Sequence, residues 1–406
     1  MAYIDLRKLS YSDRDSVQSI YENRFHSDSS IHLPINIHDF PAFFIVVPEM
    51  LETIVHILRM ENHISALLAL LPGHAKRQYR YSCLISEIIL TNEIENVHSS
   101  RREIGDLLMD LAQYDSKKRF QGLVNKYNLL LDFSINKLQT CQDIRDIFDE
   151  LVSSEIQADA PDHMPDGRIF RKESVTVYSA AEKPIHIGIC PETSIIEKME
   201  QSLQILNDKS IEMLLRISIF HYLFGYIHPF YDGNGRVNRF ISSSLLADYL
   251  DQLTAFHLSL TIKENLRSYY QSFEICNSER NRGDLTPFIL TFLKIISLST
   301  DQLYNDLYSK TQEWNHYQDL ANTFFPKPEL DVISLLIQAS LFSEDGISTQ
   351  ELLSVLHISR QALLGRLRKI PKSLYSIQKR KNAKYYQLEL PVLERYAEEK
   401  ITSDNT

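Results

Sequence analysis

Between 211 and 224 the apolar residues Ile211, Met213, Leu214, Leu215, Ile217, Ile219, Phe220, Leu223 and Phe224 leave almost no polar face. A helix patterned this way belongs in the centre of a bundle, and the spacing predicts one over about 211–226. Val237, Phe240, Ile241, Leu245 and Tyr249 recur at helical spacing on one side and predict an amphipathic helix from Arg236 onward. Upstream, apolar residues from 43 to 71 fall mainly at helical spacing until Pro72-Gly73-His74 breaks them. Leu84, Ile85, Ile88, Ile89, Ile94 and Val97 predict a further helix over about 81–98. The stretch His32-Leu33-Pro34-Ile35-Asn36 reads as turn-rich. Helical patterning resumes from 114 to 155 and stops at the polar break Ala158-Asp159-Ala160-Pro161-Asp162.

A period of two appears in two places. Ser174-Val175-Thr176-Val177-Tyr178 and Ile185-His186-Ile187-Gly188-Ile189 alternate about a turn containing Ala180, Ala181, Glu182, Lys183 and Pro184, which predicts a β-hairpin. The second is 375–388, a hairpin whose tip is Lys379-Arg380-Lys381-Asn382-Ala383-Lys384. Before it, beyond the break Phe325-Pro326-Lys327-Pro328, 330–341 reads as one helix, Ser348 caps a second through Leu356, and Ser359 caps a third running to Ile370, where Pro371 ends it. The tight turn at His357-Ile358 gives helix-turn-helix spacing, and with the hairpin the segment resembles a winged helix. Arg360, Gln361, Arg366 and Arg368 would then face a DNA major groove, with the wing on phosphate or minor groove. Protein docking is the other use such a module has.

Charge sharpens that expectation. The net charge is −10, yet nine Lys or Arg residues and no Asp or Glu lie between 359 and 386; setting those nine aside leaves −19 on the rest. Such asymmetry suggests a C-terminal region with its own partner, most simply nucleic acid. With 406 residues, 44% of them hydrophobic and 24% charged, the chain has the composition of a soluble globular protein of two or three domains. Cys83, Cys141, Cys190 and Cys276 form no C-x-x-C pair, so neither a disulfide framework nor a zinc site is indicated, and buried free thiols are expected. The N-terminus lacks the layout of a signal peptide, and no apolar run reaches the roughly 18 residues of a membrane span, so no membrane partner is expected and a reducing cytoplasm is the default location.

The chemistry concentrates in His228-Pro229-Phe230-Tyr231-Asp232-Gly233-Asn234-Gly235-Arg236-Val237-Asn238-Arg239. Gly233 and Gly235 flank Asn234 and let the backbone turn its N–H groups toward one point, at the opening of a helix whose unpaired N–H groups and dipole favour an anion. Arg236 and Arg239 suit further phosphates. Asp232 offers a hard oxygen of the kind that holds Mg²⁺ together with substrate phosphates. His228 alone in the run titrates near neutral pH and is the candidate base for a hydroxyl nucleophile. His221, on the apolar helix, reads as a core histidine.

At every fixed position this run resembles the His-Pro-Phe-x-Asp-Gly-Asn-Gly-Arg-x-x-Arg signature of Fic proteins. The resemblance extends over about 34–297. It implies transfer of AMP from MgATP to a Ser, Thr or Tyr hydroxyl of a target protein: His228 takes the hydroxyl proton, Asp232 holds Mg²⁺, the loop 233–235 cradles the α-phosphate, and Arg236 and Arg239 hold the β- and γ-phosphates. Phe230 would seat the loop. The nucleotide-binding set is then Gly233, Asn234, Gly235, Arg236, Val237, Asn238 and Arg239, with Tyr270 and Asn277 as the best matches for the family's adenine pocket. The hairpin 174–189 takes the place of the flap along which a protein substrate pairs.

A second motif, Thr-x-x-x-Glu-Asn, places Thr91 and Glu95 one turn apart, followed by Asn96. It is similar to the inhibitory Ser/Thr-x-x-x-Glu-Gly/Asn motif of Fic proteins, in which the Glu pairs with the second Arg of the signature. Glu95 would pair with Arg239 and exclude productive ATP, with oligomeric contacts or target binding as the release; a homo-oligomer is left open. The expected fold is mainly α: an N-terminal helical region over 1–120 with the inhibitory helix, a Fic-type helical bundle with a small β-hairpin flap over 121–300, a linker over 301–328 and a winged helix-turn-helix over 329–400. The alternative to autoinhibited protein adenylyltransferase is a DNA-binding transcriptional regulator that uses the Fic fold as a nucleotide sensor.

Overall fold

The computed structural model describes residues 3–12, 14–109, 119–131, 138–178, 184–380 and 383–404. In chain order the helices and strands are α1 (Leu6–Ser12), α2 (Arg14–Phe25), β1 (Ser30–Ile37), β2 (Phe40–Ile45), α3 (Pro48–Leu70), α4 (Gly73–Ile94), α5 (Arg101–Met109), α6 (Gln121–Leu131), α7 (Cys141–Leu151), α8 (Ser153–Asp159), β3 (Thr176–Tyr178), β4 (Pro184–Ile187), α9 (Glu192–Asn207), α10 (Met213–Ile227), α11 (Asn234–Tyr249), α12 (Gln252–Ala255), α13 (Leu258–Glu264), α14 (Leu266–Cys276), α15 (Thr286–Phe324), α16 (Lys327–Phe342), β5 (Ile347–Ser348), α17 (Thr349–Leu356), α18 (Arg360–Lys369), β6 (Tyr375–Arg380), β7 (Ala383–Leu388) and α19 (Leu390–Asp404). The chain divides into two compact units, 1–61 with 84–301, and 62–83 with 302–406.

In the first unit α10 is buried on nearly every side, as its composition requires, and packs between α9 and α11. It ends at Ile227 because Pro229 can neither donate a backbone hydrogen bond nor leave room for the preceding turn. α7 begins with a reciprocal cap: Thr140 accepts from the Asp143 N–H, and the Asp143 carboxylate accepts from the Thr140 N–H at 2.7 Å. The expected flap hairpin forms as β3 against β4, antiparallel, with Thr176 opposite Ile187 and Val177 opposite His186. Its turn, which holds Ala180 to Lys183, lies outside the described residues.

Three expectations change. The segment read as turn-rich is strand β1, paired antiparallel with β2 from Ser30–Ile45 to Ile37–Phe40, with the register broken between His32 and Asn36. Pro34 sits inside that break, where the missing N–H breaks no ladder, so a residue that argues against a strand is accommodated. Its neighbours Leu33, Ile35 and Ile37 are buried in alternation. Residues 301–328, expected as a linker, are mostly the C-terminal part of the 39-residue α15. Of the four cysteines Cys83, Cys141 and Cys276 are buried, but Cys190 is exposed.

In the second unit α16, α17 and α18 carry the three expected helices, and β5, β7 and β6 form a sheet in that order. Ser348 and Glu351 cap α17 reciprocally, and Ser359 caps α18 by accepting from the Ala362 N–H at 3.2 Å. Leu336, Leu352, Leu363, Leu367 and Tyr386 are buried in this unit. Of the residues expected to read DNA, Arg360, Gln361 and Arg368 are exposed, whereas Arg366 is partly buried and pairs with Asp331 of α16 at 3.5 Å.

Among the described residues no helix is long and apolar enough to cross a membrane.

Candidate active site

The loop between α10 and α11 is held from below by an aromatic seat. Phe230 is fully buried, stacked on Phe148 at 4.1 Å between ring centroids and edge-on to Phe170 at 5.5 Å. Asn234 closes the loop on itself: its Oδ1 accepts from the Phe230 N–H at 3.0 Å, and its Nδ2 donates to the Phe230 carbonyl at 2.8 Å. Gly233 precedes α11 in the left-handed region at φ 77°, a conformation open to glycine without strain. The first N–H groups of α11, starting at Asn234, thereby point out of the helix end with no intrahelical acceptor.

Asn234, Gly235, Asn238 and Arg239 line a cavity of about 430 Å³ together with His228. Tyr270 and Asn277 are also on its wall, whereas Asp232 and Gly233, expected in the same site, are not. Asn238 donates from Nδ2 to the His221 carbonyl at 2.8 Å, while its buried Oδ1 has no partner among the described residues. Val237 is not on the wall; it is fully buried in the core.

Arg236 departs from expectation. It is buried, absent from the cavity wall, and its Nη1 lies 2.5 Å from Oε1 of buried Glu155 on α8. On a helix beginning at Asn234, positions 235, 238 and 239 share one face and 236 lies to the side. The guanidinium thus joins α11 to α8 rather than facing the cavity. Nothing local marked Glu155, which lies 81 residues away in sequence.

Arg239 does face the cavity, and it is already engaged. Its Nη2 is 2.8 Å from Oε1 of Glu95. It also donates from Nε to the Thr91 hydroxyl at 2.8 Å and from Nη2 to the Thr91 carbonyl at 2.9 Å. Burial works against the charge of Arg239, but Glu95 outweighs it and raises the pKa. Glu87, Thr91 and Glu95 are four apart on one face of α4 and the turn that follows it. Asn96 then takes φ 58° and ends the helix, a left-handed position that Gly and Asn fill best. The Glu95 carboxylate sits so close to the start of α11 that a Cβ on Gly235 would lie 1.8 Å from its Oε1. The space beside the helix N-terminus, where an anion is favoured, already holds one.

Behind Arg239 runs a directed chain of hydrogen bonds. The Ser242 hydroxyl donates to the Asn238 carbonyl at 2.9 Å, so its oxygen accepts from His221 Nδ1 at 2.7 Å. His221 Nε2 must then accept from the Tyr269 hydroxyl at 2.7 Å, whose oxygen is left to accept from Arg239. His221 is fully buried, and burial together with Arg239 pushes its pKa well below the usual imidazole range. It is a neutral core histidine, as expected.

His228 stands at the end of α10 with φ 52°, a conformation that costs a non-glycine residue roughly 1–2 kcal/mol. Burial, then the charge of Arg171 and the neighbouring His186, push its pKa down to about 3 against a bond to the Gly225 carbonyl. The ring is therefore neutral at ordinary pH, with a nitrogen able to accept a proton. His186 of β4 also lines the cavity; its Nε2 donates to the Tyr226 carbonyl at 2.6 Å. Asp232 is exposed, with Oδ1 accepting from the Gly233 N–H at 2.5 Å. Among the described residues no group of three or more His, Cys, Asp or Glu is placed to hold a metal without a ligand's help.

Glu155, Arg171 and Tyr269 are site residues that sequence patterning missed, since each acts through a partner far away in the chain.

Comparison with known proteins gives a consistent picture. Residues 139–246 match the Fic/DOC family. Over 79 residues the chain is 34% identical to a probable protein adenylyltransferase of Aquifex aeolicus, which covers 20% of this chain and 23% of the relative. Over 98 residues it is 33% identical to protein adenylyltransferase fic-1 of Caenorhabditis elegans, covering 23% and 18%. The matched stretch spans about a fifth of each relative's length. The chain shares its fold with a Fic family protein from Desulfovibrio desulfuricans known from a crystal structure, with a TM-score of 0.53 and 16% identity over 85% of this chain and 97% of that one.

Proposed function

We propose that the chain is a protein adenylyltransferase that moves AMP from MgATP to a hydroxyl of a target protein and is held down by its own Glu95. The observation that carries the reading is a single cavity in which His228, the N-terminus of α11 and Arg239 converge while the Glu95 carboxylate occupies the place of an anion. The relatives that match part of the chain are named for the same activity.

In the reaction the target hydroxyl oxygen bonds to the α-phosphorus as the bond from that phosphorus to the bridging oxygen breaks. Pyrophosphate leaves with the electron pair, and the hydroxyl proton passes to neutral His228. Bound triphosphate brings negative charge beside an imidazole whose pKa is low in the free protein, which raises it and makes it a better base when substrate is present. The α11 N–H groups stabilise charge on the α-phosphate, and Arg239 holds the γ-phosphate once Glu95 withdraws. Arg236, tied to Glu155, supports the helix from the side. The Asn238 Oδ1 is an acceptor for a donor on the nucleoside, and Tyr270 and Asn277 border the base. Asp232, exposed and with Oδ2 unpartnered among the described residues, fits one-carboxylate Mg²⁺ binding, in which the ion would offset charge on the leaving phosphates. A target strand adding to the β3–β4 hairpin would run along the cavity, since Val177 and His186 are on its wall.

Transfer of label from ATP tests the reading: it should rise in Glu95→Gly and vanish in His228→Ala. Labelling by the His228 variant equal to that of Glu95→Gly would refute it.

A second reading applies to the C-terminal unit, taken as a winged helix that binds DNA. Arg366, Lys369 and Arg380 are paired with Asp331, Glu329 and Asp345, whereas Arg360, Arg368, Lys372, Lys379 and Lys384 have no ion pair among the described residues. Arg360, Gln361 and Arg368 are exposed on α18, and Gly365 leaves open space between them. That arrangement supports duplex binding through α18 and, with transfer absent from every variant, the sensor alternative. Anisotropy of labelled duplex DNA across salt concentrations tests it. Arg360→Ala and Arg368→Ala should each reduce the salt slope by about one; no binding at low salt would refute it.

A further inference from the structure

Arg171 is fully buried, yet no Asp or Glu among the described residues pairs with it. Its fork is spent on backbone carbonyls. Nε donates to His228 O at 2.9 Å, Nη2 to Ile189 O at 2.8 Å and to Ile227 O at 3.5 Å, and Nη1 to Glu173 O. Its own N–H donates to Pro229 O at 3.2 Å. These carbonyls belong to three places: the C-terminus of α10 with the loop that follows it, the chain entering β3, and the chain leaving β4. The C-terminal end of α10 carries the negative pole of the helix dipole and orphan carbonyls, which explains how a buried cation is tolerated without a carboxylate.

We infer that Arg171 is a positioning residue for the proposed transfer, a planar clamp that fixes the His228 backbone in its left-handed turn and ties it to both feet of the flap hairpin. The inference rests on the adenylyltransferase reading and adds to it the group that sets base and acceptor in one frame. A guanidinium suits the task because its donors lie in one plane at fixed angles, so carbonyls from separate segments can be held at once; an ammonium cannot span them. The surroundings are built to leave room for it. Gly188, the residue after β4, has its N–H on Val175 O at 2.9 Å, and a Cβ there would fall 2.4 Å from Arg171 Nη2 and 3.1 Å from the His228 Cβ. The charge has a second effect: with burial and His186 it disfavours the imidazolium of His228.

Charge and fork can be separated by substitution. Arg171→Gln removes the charge, and Arg171→Lys keeps it but loses the fork. In the full chain with ring-labelled histidines, the His228 signal, assigned by its absence in His228→Ala, is followed against pH by NMR. In Arg171→Gln its midpoint should rise by roughly one unit or more, while in Arg171→Lys it should stay low. In the Glu95→Gly background, Arg171→Lys should lower kcat for AMP transfer by about 10²-fold with KM for ATP little changed, as expected for a misplaced base in an intact nucleotide site. Gly188→Ala, which keeps the arginine and crowds the fork, should lower kcat in the same way and covers the case in which Arg171 variants fail to fold. An unshifted His228 midpoint in Arg171→Gln, or full kcat in both Arg171→Lys and Gly188→Ala, overturns the inference. If Glu95→Gly with Arg171 intact transfers no AMP, the adenylyltransferase reading fails instead, and the NMR titration still decides the clamp.

Discussion

Removal of the Glu95 side chain is the perturbation that most directly probes the site. Its Oε1 lies 2.8 Å from Nη2 of Arg239, whose side chain is 2% exposed, while that of Glu95 is 33% exposed. A hydrogen bond between charged groups contributes about 1.5–3 kcal/mol net, and partial exposure of the carboxylate moves the value toward the lower end. Arg239 stays in place in the variant, because Thr91 supplies two further acceptors and Tyr269 a third. The lost bond should therefore appear as freedom to bind a phosphate, and about 1.4 kcal/mol per factor of ten gives a roughly tenfold to hundredfold rise in productive ATP use. Volume acts in the same direction, since the carboxylate crowds Gly235 at the start of α11. Glu95→Gln keeps the bulk and removes the charge, so the order of AMP-transfer rates should be Glu95→Gly, then Glu95→Gln, then wild type. Transfer from labelled ATP gives the rates, and calorimetric titration with ATP gives the affinities. A folded Glu95→Gly protein that neither binds ATP more productively nor transfers AMP faster would refute the competition argument.

Other outcomes follow from buried groups. Glu87 is fully buried, and burial raises its pKa to about 7 against donors from Ser259 and Ser243 and the charge of Arg239. The folded state then holds a proton that the unfolded chain releases near 4.5, so this group's stabilisation is complete below that pH and is lost as pH rises through about 7, on the order of 3 kcal/mol in all. Glu87→Gln should remove that dependence, and denaturant titrations at stepped pH would contradict the reasoning if the two proteins differ by a constant. His228 acts in the opposite sense: with its pKa depressed to about 3, its contribution is present above the usual imidazole range and fades as pH falls toward 3, so the difference between wild type and the Glu87 variant isolates the carboxyl. Phe230→Ala should cost roughly 3–5 kcal/mol in the same titrations and abolish transfer, because the aromatic stack with Phe148 seats the loop; a loss below about 1 kcal/mol would mean the seat is not structural.

Much of the site could be read along the chain because its parts are close in sequence. The loop chemistry of 228–239, the all-apolar α10, the caps at Ser348 and Ser359, and the alternation around 174–189 are each local patterns, and each element forms where its pattern lies. Local patterning failed at β1, where Pro34 argues against a strand and pairing with β2 across a register break overrides it. It failed again at 301–328, where polar residues read as a linker are the exposed side of a long helix.

Residue types and spacing alone determined that a glycine-flanked turn, an imidazole and an exposed carboxylate would sit together at the start of one helix, because backbone conformation and side-chain chemistry over twelve positions are set locally. Tertiary structure decided how the two arginines divide their work. Arg239 reaches the cavity and meets Thr91, 148 residues earlier, and Glu95 beside it, while Arg236 turns to Glu155, 81 residues earlier. It also decided that Arg171 would grip the His228 carbonyl from 57 residues away. Such partners are chosen by packing among helices distant in the chain, and no local periodicity encodes them; the pairing of Glu95 with Arg239 was legible only through the resemblance of its motif.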